Sequence, residues 1–201
     1  MRGATSALYE PLIERNLGAI PAAVQTFLRS HSPSDSEDEL WIAIARFAVL
    51  AYAPSQHAKR AVMAVRAARE VRDELGEQFV NMLTECARYA ASSRLPWSEP
   101  PLLDPPPIDP AESMTLDALR EAIAAGDRFR AERWLAARVE DAASELAKIA
   151  TGDARLMLDT AMALEVHVGE KGRFALLRMV IAELLVSSRA ESRDPLRLAA
   201  N

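Results

Sequence analysis

Aromatic side chains make up only 5% of this sequence, and glycine occurs just seven times in 201 residues. The first scarcity weighs against β-sheet, whose pleated surface favours aromatic and β-branched residues. The second weighs against a loop-rich fold, because most of the glycines stand where a helix would stop. Cysteine is rarer still. Cys86 is alone in the chain, so no intrachain disulfide can form and a reducing, cytoplasmic setting is expected. Helical spacing puts Cys86 on one face with Phe79, Leu83 and Ala90, the pattern of a small buried apolar residue rather than of a nucleophile.

Short motifs are missing as well. The chain contains no GxGxxG, no P-loop, no GxSxG, no CxxC, no HExxH and no EF-hand loop, which removes the common signatures of dinucleotide, nucleotide, hydrolase and metal chemistry. Glu-x-x-His spacing is absent too, so a metal site would need ligands from separate helices, and none is assigned. No cofactor is indicated. A net charge of −5 opposes general nucleic-acid binding, which needs excess positive charge to displace counterions from phosphates. No apolar run reaches the roughly 20 residues that span a bilayer; the longest, 174–186, contains Arg178 and Glu183. Glu10, Pro11, Glu14 and Arg15 interrupt the first segment, where a signal peptide would have an unbroken apolar core.

What is present is helix. Half of the residues are apolar and 26% are charged, and alanine, leucine, arginine and glutamate, all strong helix formers, dominate. The expected fold is an all-α bundle of about nine helices. Helical patterns cover 8–17, 21–29 (with Pro21 in the first turn), 40–53, about 55–74, a stretch to about 93, 114–125, 127–150, 154–168 and 173–188. Ser36 and Glu39 have capping-box spacing before the third pattern. Gly126–Asp127 and Gly152–Asp153 read as stop-and-cap pairs, and 169–172 as a turn. Segments 40–53, 154–168 and 173–188 are apolar nearly all round and form the expected buried centre.

Seven of the twelve prolines fall between 96 and 110, where they forbid helix and favour an extended course. The organisation expected is an N-terminal helical half at 1–94, a proline-rich strap at 95–112, a C-terminal helical half at 113–190 and a frayed tail at 191–201, all within the compass of one compact domain. No PxxP core in the strap has basic flanks, so it reads as a stiff connection rather than an SH3 ligand. An offset of 112 superposes Lys59 on Lys171, Val65 on Leu177 and Arg66 on Arg178, which suggests two pseudo-repeated halves.

Polar residues on apolar helices are the leads to chemistry, because a buried charge must be paired. Arg46 is the lone charge of 40–53 and could grip a carboxylate or phosphate, or snorkel to the surface. His57 and His167, each near a lysine (Lys59, Lys171) and with Glu165 at hand, are candidates for acid–base work. The plainer reading places His57 at an exposed helix start and His167 as a helix C-terminal cap. His31 reads as solvated. Arg66 and Arg69 lie near one face of a basic helix that could dock an acidic partner, and Trp97 could anchor a partner or the strap itself.

Two functions follow. The first is a non-catalytic helical domain that binds another protein or a second copy of itself. The second is a small-molecule- or metal-binding helical protein or enzyme with a pocket between the halves, lined by His57, His167, Arg46 and Glu165. The wide apolar circumference of three helices favours a homodimer. Sedimentation at low micromolar concentration is expected to give twice 22.0 kDa, and a clean species at 22.0 kDa would exclude a stable dimer.

Overall fold

The helices lie in the regions where the sequence patterns place them, with many of their bounds shifted and the 127–150 pattern divided in two. In the computed structural model, residues 2–32, 34–53, 55–93, 106–108, 113–168 and 170–192 are described, with backbone only for 2–4, 170–171 and 190–192. All regular structure among them is helical, as the composition requires. The chain divides into two compact units, Met1–Pro101 and Leu102–Asn201. Most of the proline-rich segment, with Trp97, and the tail from 193 lie outside the described residues.

The first unit contains α1 (Arg2–Ile13), α2 (Ile20–Arg29), α3 (Ser36–Leu50), α4 (Gln56–Glu70), the single turn α5 (Arg72–Leu75) and α6 (Phe79–Ser93). Pro21 occupies the first turn of α2, where its missing N–H costs nothing. Helix α1 starts earlier than its pattern and ends at Ile13, two residues after Pro11. Helix α3 also starts early. Ser36 is its first residue and Asp35 its cap, without a side-chain capping bond. The expected capping box is therefore replaced by an acidic first turn, Glu37, Asp38 and Glu39, which the positive end of the helix dipole favours. Ser55 Oγ accepts from the Ala58 amide at 3.1 Å and starts α4. That helix breaks at Val71, short of the continuous helix the pattern suggests.

Helix α6 packs against α1, α2, α3 and α4. Around it are buried Leu8, Leu12, Ile20, Phe27, Trp41 and Phe79. The Trp41 indole N–H donates to the Val65 carbonyl at 2.8 Å, which lets the largest side chain enter the core with its polar atom satisfied. His31 departs from expectation. It stacks on Phe27 at 4.1 Å, and its Nδ1 donates to the Phe27 carbonyl at 2.8 Å, so it closes the C-terminus of α2 rather than standing in solvent.

The second unit contains α7 (Leu116–Ala125), α8 (Arg128–Arg138), α9 (Ala142–Ala147), α10 (Gly152–Val168) and α11 (Glu170–Ser192). Gly126 ends α7 in the left-handed region at φ 69°, and Asp127 Oδ1 accepts from the Arg130 amide at 3.0 Å to begin α8. This is the stop-and-cap pair read from the sequence. Trp134 Nε1 and Arg138 both donate to the Met114 carbonyl, at 3.1 and 3.2 Å, and so tie the residues before α7 to α8. Helix α11 packs against α7, α8, α9 and α10, and nearly every side chain from Phe174 to Leu185 is buried.

Two expectations need revision. Helix α10 is not covered all round, since Leu156, Ala163 and Val166 are exposed; its partners cover one side only. Of the turn expected at 169–172, the residues from Glu170 on already belong to α11. The two units also differ in packing. The offset of 112 pairs α4 with α11, yet in the first unit it is α6, not α4, that contacts every other long helix.

The tight junction depends on Gly172, where an added Cβ would run into the Cγ1 of Val168. Helix propensity alone would reward Gly172→Ala by about 1 kcal/mol. The clash is expected to reverse the sign, with a loss of roughly 1–3 kcal/mol in urea unfolding. Adding Val168→Ala should recover part of it. A Gly172→Ala protein as stable as the parent would show that the junction has room.

Candidate functional site

In the first unit Arg46 is the outward position of α3, exposed rather than buried. Its charge reaches Tyr9, whose phenol is pushed up by burial and drawn back by Arg46. The Tyr9 hydroxyl donates to the Ala43 carbonyl at 2.9 Å. His57 is exposed in the first turn of α4 with its ring edge towards Tyr89, 6.5 Å between centroids. Lys59 is buried and engaged within the structure.

The basic face of α4 is largely committed to internal pairs. Arg66 holds Glu70 at 2.7 Å one turn on. Arg69 and Arg72 share the carboxylate of Asp38, and Arg72 also reaches Glu37 at 3.5 Å. The same two guanidiniums lie over aromatic rings, Arg69 above Trp41 at 5.5 Å and Arg72 above Phe79 at 5.2 Å. The acidic first turn of α3 is thus clasped to the end of α4.

In the second unit Glu165 is an ion-pair partner. Arg173 Nε stands 3.0 Å from Glu165 Oε1, off the N–H direction, so the contact is ionic without a hydrogen bond. The same guanidinium reaches the Glu140 carboxylate at 3.0 Å and its carbonyl at 2.9 Å. His167 is half-buried and engaged in the last turn of α10; the side chain of Lys171 lies outside the described residues. Arg46, His57 and Lys59 belong to the first unit, Glu165, His167 and Lys171 to the second. Among the described residues no three His, Cys, Asp or Glu side chains gather as a metal-binding group.

Sequence reasoning missed the most deeply buried charges. Glu132 on α8 is 3% exposed, and Arg178 and Glu183 on α11 are 7% and 1% exposed. Glu132 Oε1 accepts from Arg128 Nε at 2.8 Å. Burial pushes the Arg178 guanidinium below its usual range; the Glu132 carboxylate opposes that shift and Arg128 adds to it. Arg178 and Glu183 were visible as interruptions of an apolar run, but nothing local marks Glu132 as internal. No family model, curated protein or solved structure matches this chain. Glu132 is paired with Arg128, and Arg178 and Glu183 are engaged within the structure.

Cys86 is buried, and burial pushes its thiol up to about 11, with Glu85 adding to the effect. Only the thiolate is nucleophilic, so at pH 8 iodoacetamide is expected to modify native protein roughly a hundredfold more slowly than the urea-unfolded chain. Equal rates in the two states would show that the thiol is accessible and ordinary.

Proposed function

We propose that this chain is a helical protein-interaction or assembly-subunit domain without catalytic activity, working in the cytoplasm and docking on another protein or on a second copy of itself. The supporting observation is the outer side of α10. Leu156, Ala163 and Val166 fall within about 80° of one another on the helix and all are exposed, Val166 at 85%. Asp159, ion-paired to Arg155, lies on the same arc. This is an apolar face with one charged pair set in it, and a mixed face of that kind at helical spacing is how one helix is read by a partner. Phe129, in the first turn of α8, adds a ring at 70% exposure. The commitment of Glu165 to Arg173 also favours binding over acid–base chemistry, since a general base must be free to take a proton. No described helix is long and apolar enough to cross a membrane.

Native mass spectrometry of protein purified without metal affinity tests this reading. The expected species exceeds 22.0 kDa by the mass of a second polypeptide, its own or another. Val166→Asp with Phe129→Ser should weaken that association at least about tenfold, a loss of some 1.4 kcal/mol, while the unfolding temperature stays put. A single chain carrying a stoichiometric small molecule or metal ion, retained in the variant, would sink the proposal.

A further inference from the structure

Apolar burial fixes that α11 is internal but hardly fixes how. Ala175, Leu176, Leu177, Met179, Ile181 and Leu185 are buried and are spread around its axis. Rotating the helix by one residue, or sliding it by one turn of about 5.4 Å, would replace one aliphatic surface by another. The hydrophobic effect is non-directional and discriminates poorly among such settings. Charge does not share that indifference. Arg178 is buried on α11, Glu132 is buried on α8, and these two helices are in contact. A slipped setting would strand either group in a medium where an unpaired charge is strongly disfavoured.

We propose that Glu132 and Arg178 form a register lock, a conformational device that selects one setting of α11 against α8 and contributes little net stability. Arg128 belongs to the device from the α8 side, holding Glu132 from one turn earlier at 2.8 Å.

Glu132→Leu, Arg178→Met and the double variant, each in the full chain, separate the two roles. Glu132→Leu strands the Arg178 charge, and Arg178→Met leaves Glu132 held from the α8 side by Arg128, so both should lower the urea midpoint, the first by more. The double change removes both charges and should recover most of that loss, because well-packed apolar substitutes commonly replace buried ion pairs without harm. Its defect is expected elsewhere. Amide resonances of α8 and α11 should broaden or double, and their hydrogen exchange should speed up at least tenfold, with α1–α6 unchanged. A double variant with single, sharp resonances and parental exchange would overturn the proposal. So would one no more stable than the weaker single variant, since the pair would then be holding the unit together rather than choosing its register.

Discussion

Arg178 sits on a helix with almost no solvent face. Arg178 and Glu183 are buried on α11, which packs against α7, α8, α9 and α10, so both charges need partners within the protein. Stranding a buried guanidinium or carboxylate costs several kcal/mol, a large share of the 5–15 kcal/mol that holds an ordinary domain folded (both orders of magnitude). Much of the second unit follows from this. Glu132 occupies an inward position of α8 that an alanine or leucine would otherwise fill, and Arg128, one turn earlier on the same face, pairs with it. Arg173 does comparable work nearer the surface, joining α10 and the residues after α8 through Glu165 and Glu140.

Among its described residues the first unit buries one charge, Lys59 on α4. Its central helix, α6, has buried residues Phe79, Leu83, Cys86, Ala87, Ala90 and Ala91 and no buried charge. Guanidiniums enter only as far as the half-buried clasp on Asp38, where flat ion pairs rest on Trp41 and Phe79. Exposed pairs of this kind contribute about 1 kcal/mol or less each. The clasp therefore orients the start of α3 against the end of α4 more than it supplies stability.

The helical class was legible because its signals are local: alanine and leucine content, Pro21, the Gly126–Asp127 junction and the helical face that contains Cys86 were all readable one turn at a time. Where reading failed, the missing information was tertiary. Arg46 and Val166 show this from opposite sides. A single arginine on an apolar helix suggests burial with a partner, yet one charge is enough to mark the line that faces water. An apolar helix such as α10 suggests full enclosure, but how many neighbours it acquires is set by the rest of the chain. Glu132 could not be found because, within α8, Arg128, Arg130 and Arg133 surround it in sequence and give it the look of an ordinary surface residue. Of the proposed site residues, the chemistry of each was readable, but not whether it was already spent on a neighbour.

Both units keep their most connected helix for last. In the first it is α6 and in the second α11, and each contacts every long helix that precedes it within its unit. Synthesis proceeds from the N-terminus, and domains generally fold as units once enough of the chain has emerged. During translation, α1–α4 must wait with their apolar faces uncovered until α6 leaves the ribosome, and α7–α10 wait again for α11. The chain thus passes through two windows of vulnerability to aggregation, each closed by the arrival of a single helix.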